Sequence, residues 1–116
     1  MGTLFTMTNP EAAVRILFEV FPQTKPTGVD DAGALKLGLA PLYALMHVFD
    51  PHGSTGVTKW GESSFADYDA YIDFLMKWGV VKQKVPASEI VTNDLIDDIN
   101  KFDAAAVVEK AKTWKQ

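Results

Sequence analysis

Ser63-Ser64-Phe65-Ala66-Asp67-Tyr68-Asp69-Ala70-Tyr71-Ile72-Asp73-Phe74-Leu75-Met76-Lys77-Trp78-Gly79 is the stretch that sets the fold class of this chain. Phe65, Tyr68, Tyr71, Ile72, Leu75 and Trp78 recur at three and four residues, a spacing that gathers side chains on one face of an α-helix. A strand would need alternation at two. Ser63 or Ser64 supplies a hydroxyl for the first unpaired N–H groups, and Gly79 stands where a left-handed C-cap is wanted. The spacing therefore predicts a helix whose aromatic stripe, Tyr68, Tyr71 and Trp78 included, faces a core.

The same three-and-four spacing continues in both directions. Upstream, Asp50-Pro51-His52-Gly53-Ser54-Thr55-Gly56 is dense in turn-forming residues and reads as a long loop leading into Val57-Thr58-Lys59-Trp60-Gly61-Glu62. Before it, Asp30 or Asp31 caps a helix running to about Phe49, with Leu35, Leu39, Leu42, Met46 and Phe49 on one face. Pro41 deprives the Leu37 carbonyl of its partner, at about 3 kcal/mol, and Gly33 and Gly38 each cost about 1 kcal/mol against alanine. A break near residue 40 is thus a second reading beside a continuous helix. Further up, Thr8 is a cap with Glu11 three residues on and Pro10 in the first turn. Ala13, Ile16, Leu17, Val20 and Phe21 form the next stripe, ended by Pro22. Met1, Leu4, Phe5 and Met7 are similarly spaced with no cap before them, as in the tail of an element begun upstream of a truncated start.

Downstream, Val80 to Val85 alternates apolar residues with lysine and glutamine, so a short extended segment before Pro86 is an option. Thr92 caps a fourth helix with Leu95, Ile96, Ile99 and Phe102 inward, and Asp103 caps a fifth carrying Val107, Val108, Ala111 and Trp114. The expectation is an all-α chain of about five helices with long loops, a single domain over 1–116 with no internal boundary.

Composition narrows the functions. Fifteen Asp and Glu against eleven Lys and Arg give a net charge of −4, without the basic stripe that neutralises phosphates, so nucleic acid is not an expected partner. Zero cysteines exclude Cys₂His₂ zinc sites, iron–sulfur clusters and thiol nucleophiles. No apolar run approaches the roughly 20 residues of a membrane span. At 47% hydrophobic and 11% aromatic, the composition suffices for a core.

Catalytic signatures are missing. Asp50 stands three residues after His47, but no second His stands four residues away, so no HExxH-type zinc arrangement exists, and His52 has only Asp50 beside it in a turn. No serine sits in a G-x-S-x-G elbow, and Gly53-Ser54-Thr55-Gly56 lacks the ending of a phosphate-binding loop. Asp67, Asp69 and Asp73, and again Asp94, Asp97 and Asp98, read as solvated faces near helix N-termini. Neither a cofactor motif nor a metal-ligand set is legible, and no enzymatic activity is expected. Trp60-Gly61-Glu62 is the one candidate ligand contact. A tryptophan beside a flexible glycine, just before a helix, can line a pocket with an indole N–H or equally plug a seam between helices.

Asn9-Pro10-Glu11-Ala12-Ala13, Phe21-Pro22, Trp60-Gly61-Glu62, Tyr71-Ile72-Asp73-Phe74-Leu75 with Trp78-Gly79-Val80, and Thr92-Asn93-Asp94-Leu95-Ile96 through Asp103 succeed one another in a familiar order. Together they resemble the C-terminal part of periplasmic solute-binding proteins of the nitrate/sulfonate/bicarbonate (taurine-type) ABC transporter group, over nearly the whole chain. The resemblance implies an excerpt of a two-lobe α/β protein that closes on a small solute in the periplasm and delivers it to a membrane permease. The signal peptide and most cleft residues then belong to other sequence, and Trp60 and Glu62 are the solute contacts to expect here. Related pyrimidine-precursor synthases carry a cysteine-rich motif, which this chain lacks.

Two other readings stand beside it. One is an autonomous helical interaction or dimerisation module without a small ligand, in which bare apolar faces self-associate. The other is a small helical enzyme built on His47 or His52, for which no convergent acid, base or metal set is visible.

Overall fold

The computed structural model describes residues 1–48 and 58–115. Among them every regular element is helical: α1 (Gly2–Thr8), α2 (Pro10–Val20), α3 (Asp31–Met46), α4 (Phe65–Lys77), α5 (Ile96–Ile99) and α6 (Ala104–Lys112). Short 3₁₀ turns lie at Pro22–Thr24 and Ala87–Glu89. None of these helices is long and apolar enough to cross a membrane. The chain divides into two compact units, residues 1–50 with 102–116, and residues 51–101.

In the first unit α1 packs on α6 and α2, and α2 packs on α3. The α1–α2 junction turns on Asn9. Pro10 bars the preceding residue from helical dihedrals, and Asn9 sits at φ −141°, ψ 81°. Its side-chain oxygen accepts from the Ala12 N–H at 3.0 Å, and its Nδ2 donates to the Ala111 carbonyl at 2.9 Å, tying the start of α2 to the end of α6. The cap is therefore Asn9 and not Thr8 as the sequence suggested. Thr8 ends α1 instead, its hydroxyl donating to the Leu4 carbonyl at 2.8 Å. The opening residues form a helix of their own, with no side-chain cap at Met1.

Asp30 caps α3, accepting from the Gly33 N–H at 2.7 Å. This helix runs unbroken through Pro41. Leu37 and Pro41 both lie on its exposed side, where water reaches the carbonyl that proline leaves unpaired. Phe49, the end expected for this helix, is outside the described residues. Asp103 caps α6 as anticipated, accepting from the Ala106 N–H at 3.0 Å. Ala111 is buried, with Val107, Val108 and Trp114 half-buried around it.

The buried residues of this unit are small: Ala12, Val14, Ala34 and Ala111. Leu17, Val20 and Phe21, placed on the inner stripe of α2 by their spacing, are exposed, as are Leu37, Tyr43 and Leu45 of α3. Helices that meet through alanine approach closely, and Gly38 marks the tightest point. A Cβ there would stand 2.7 Å from Val14 Cγ1 and 2.9 Å from Phe18 Cζ.

The second unit is built on α4. Ser64 caps it, accepting from the Asp67 N–H at 3.3 Å. Gly79, at φ +68°, closes it. The Val80 N–H reaches the Leu75 carbonyl at 2.9 Å and the Gly79 N–H the Met76 carbonyl at 3.0 Å, the paired bonds of a Schellman motif. Both ends agree with the sequence reading, but the burial does not. Only Ile72 is buried and Leu75 half-buried, while Phe65, Tyr68, Tyr71 and Trp78 are exposed. The expected aromatic core is a bare face, because the chain after α4 is mostly irregular, with single turns that cover little of it. Val80 to Val85 forms no strand.

That irregular chain is strapped to α4 by carboxylates: Asp69 accepts from the Ala87 N–H at 3.0 Å, and Asp73 pairs with Lys84 at 2.6 Å. Asp69 is thus a structural acceptor, not part of a solvated cluster. The fourth helix shrinks to the one turn of α5. Thr92 does not cap it; its hydroxyl oxygen accepts from the Asp94 N–H two residues on, at 3.2 Å. Ile96 is buried, but Leu95 and Ile99 are exposed instead of inward.

Gly38→Ala is expected to destabilise by about 1–3 kcal/mol through overpacking against the stiff Val14, despite a helix-propensity gain of about 1 kcal/mol. Gly2→Ala, in α1 with nothing within 4 Å, is the control that takes the propensity gain without a clash. Urea midpoints of the two variants measure this, and a Gly38→Ala midpoint at or above the parent's would refute the close contact.

Candidate functional site

Trp60 and Glu62 lie in the turn that precedes α4, both half-buried. Gly61 between them takes φ +79°, which only glycine adopts freely. A Cβ at Gly61 would touch Ile96 and Ile99 at 3.6 and 3.7 Å, in ordinary contact, so the positive φ and not crowding calls for glycine.

The Glu62 carboxylate faces back on its own turn. One oxygen, Oε2, accepts from the Thr58 and Lys59 N–H groups, each at 3.2 Å. Trp60 is held by its main chain. Its N–H donates to Asn100 Oδ1 at 2.9 Å, and its carbonyl accepts from Asn100 Nδ2 at 3.0 Å. Three residues on, Ser63 makes the same reciprocal pair with Asn93, both bonds at 2.9 Å. Asn100 Nδ2 also donates to the Ile96 carbonyl at 2.7 Å, closing the single turn of α5. The Trp-Gly-Glu turn and the segment 93–100 are therefore fastened together by two asparagine amides.

An ion pair lies beside this clamp. Lys59 Nζ is 2.6 Å from Asp97 Oδ1. The hydrogen bond, and then the charge, of the lysine hold the Asp97 carboxyl below its ordinary value of 3.8. The same bond and charge raise the Lys59 ammonium above 10.5. In the first unit Lys25 lowers Asp31 in the same way, across 2.7 Å. All four groups are in water, where such pairs contribute little to stability.

Chemically this arrangement organises backbone. Glu62 spends an oxygen on two N–H groups, and the two amides are saturated by main-chain partners. Among the described residues no group of three or more His, Asp or Glu side chains converges on a point that could hold a metal ion. His47 ends α3 on the exposed side. His52, Asp50 and the Gly53–Gly56 stretch are outside the described residues. Asn9, Asn93 and Asn100 are the residues that sequence reasoning passed over. Their signal was present, since asparagine favours side-chain bonds to nearby backbone at the ends of helical turns. Their partners 30 to 102 residues away were not legible.

Comparison with family models, with curated proteins and with solved structures yields no match to this chain.

Asn100→Ala takes the partner from the Trp60 N–H and the Trp60 carbonyl, while the Ile96 carbonyl keeps the main-chain N–H of residue 100, and is expected to cost about 1–3 kcal/mol by urea denaturation. Glu62→Gln retains an acceptor oxygen and is expected to cost less; a larger loss would show that the carboxylate does more than cap its turn. For the Lys59–Asp97 pair, the contribution is complete above pH 3.8 and is lost as pH falls through the lowered Asp97 value. It is lost again above pH 10.5, as Lys59 deprotonates at its raised value. Lys59→Met should lower the urea midpoint slightly at pH 7, by an amount that shrinks as pH falls below 3.8.

Proposed function

We propose that this chain is a non-catalytic helical scaffold that completes its core against further polypeptide, as the C-terminal part of an ABC-transporter solute-binding protein would. The observation that carries the reading is the mismatch between what is buried and what is bare. Among the described residues the buried set is four alanines, one valine and two isoleucines, while Leu37, Tyr43 and Leu45 of α3, Tyr71 and Phe74 of α4 and Trp78 at its end stand more than half exposed. Burial stabilises by about 25 cal/mol per Å² of apolar surface, and ordering each residue costs about 1–2 kcal/mol of backbone entropy. Leaving the largest apolar side chains in water forfeits most of the available gain. A second polypeptide surface restores it.

The order of motifs from Asn9-Pro10 through Trp60-Gly61-Glu62 to Asp103 favours a solute receptor as the source of that surface. In that reading two α/β lobes cover the bare faces and close on a small periplasmic solute of the nitrate, sulfonate or taurine kind, which a membrane permease then accepts. Trp60 and Glu62 remain the candidate solute contacts, although their hydrogen bonds also suit a purely supporting role. A second reading, self-association of this chain, is favoured by α3, whose sixteen residues carry only Asp31 and Lys36 as charges and are apolar on all sides. Such a helix belongs in an interior.

The test has two arms. The 116-residue chain by itself is expected to bind a hydrophobic dye and unfold broadly, with no thermal shift from nitrate, taurine, sulfonates, bicarbonate or pyrimidine precursors. A longer polypeptide holding two lobes is expected to bind no dye and to shift with one of them. A dye-free, sharply unfolding monomer of the chain alone would overturn the scaffold reading. A mass that doubles with concentration would transfer it to self-association.

A further inference from the structure

The outward face of α4 has a chemistry of its own. Asp67, Tyr71, Phe74 and Trp78 fall at successive spacings of four, three and four, which aligns them along one side of the helix, away from Ile72. Tyr71 is 59%, Phe74 54% and Trp78 68% exposed. The rings run on from one another: Tyr71 and Phe74 are 6.3 Å apart and nearly parallel, and Phe74 and Trp78 are 6.2 Å apart and tilted by 54°. At the N-terminal end of this strip, Asp67, Tyr68 and Tyr71 line an open groove of about 290 Å³.

The carboxylates of α4 are not equivalent. Asp69 is committed to the Ala87 N–H, and Asp73 to Lys84. The Asp67 carboxylate has no ion pair or hydrogen bond among the described residues. An unmatched carboxylate at the end of an aromatic strip discriminates between visitors. A purely apolar partner would strip water from the charge with nothing in return. A partner that brings a cation answers the charge and also places that cation beside the rings of Tyr68 and Tyr71, which line the groove with Asp67.

We propose that this strip docks an amphipathic helix whose apolar residues lie on Tyr71, Phe74 and Trp78 and whose arginine or lysine sits in the Asp67–Tyr68–Tyr71 groove. Arginine suits it better than lysine, because a planar guanidinium stacks on tyrosine while bonding a carboxylate. Helix-on-helix recognition with anchors at three and four residues matches the linear run of rings. The proposal rests on the reading that further polypeptide covers the bare faces, and it specifies the chemistry of that polypeptide at α4.

The experiment titrates the intact chain with a helix-forming peptide bearing leucines at three-and-four spacing and one arginine, and with the same peptide bearing uncharged citrulline. Amide shifts of residues 65–79 are tracked by NMR. The arginine peptide is expected to perturb this segment and to bind about fivefold more tightly than the citrulline peptide. Asp67→Asn should abolish that difference, Tyr71→Ala should weaken both peptides, and Asp94→Asn should change neither. Choline should likewise perturb Tyr68 and Tyr71 where its neutral carbon isostere does not. Equal binding of the two peptides at this segment, or an unaltered preference in Asp67→Asn, would overturn the cation seat while leaving coverage by polypeptide intact. No shift in residues 65–79 with either peptide would overturn the docking strip itself, and the dye and unfolding measurements would decide the scaffold reading separately.

Discussion

Asparagine amides that donate and accept at once hold the irregular parts of this chain in place. A loop that crosses from one helical segment to another carries N–H and C=O groups with no ladder to join, and each one left dry and unpaired costs free energy. Asn9 answers this in the first unit by capping α2 with its oxygen and binding the Ala111 carbonyl with its nitrogen. Asn93 and Asn100 answer it in the second, each bridging the N–H and C=O of one residue in the turn before α4. An aspartate could supply the acceptor at any of these places and not the donor. A lysine could supply only the donor. The turn that carries Trp60 and Glu62 has its shape because of residues thirty to forty positions later in sequence.

Small side chains set the other limit. Helices of the first unit meet through Ala12, Val14, Ala34 and Ala111, and Gly38 faces Val14 and Phe18 with no room for a Cβ. Close approach secures good dispersion contact over a narrow strip, but it buries little area. The larger apolar residues are left on the flanks, and the second unit repeats the pattern with Ile72, Ala87 and Ile96 inside and aromatic rings outside. Exposed apolar surface on this scale is what the proposed role of a part fitted against further polypeptide calls for. It connects the packing to the proposed role more directly than any single polar residue does. Asn9, Glu62, Asn93 and Asn100, which stand in the motifs that suggested a solute receptor, are employed in holding backbone, as the pieces of a supporting domain would be.

Much was legible from local pattern. Ser64 and Gly79 bracket α4, and Asp30 and Asp103 begin α3 and α6, because a cap is a bond between residues two or three apart and its whole chemistry is written in adjacent letters. The continuity of α3 through Pro41 agreed with the length of its periodic run. Thr8 misled because threonine is also a capping residue and has Glu11 three positions on, and the deciding restriction came from Pro10 acting on its immediate neighbour. Thr92 misled for a related reason: its hydroxyl found an N–H two residues away, and Asn100 closed the helix after one turn.

Read alone, then, the residues showed that the chain is helical, where α3, α4 and α6 start and where α4 stops, and that it lacks thiol chemistry, since periodicity, capping and composition act over a few residues or none. Tertiary structure alone decided which side of each helix is covered. Periodicity marks an apolar face without saying what lies against it, and among the described residues of the second unit Tyr71, Phe74 and Trp78 stay exposed. It also decided that Glu62 turns inward to its own backbone and that Asp69 and Asp73 are engaged while the Asp67 carboxylate has no partner among the described residues, because the partners that make the difference are brought near only by folding.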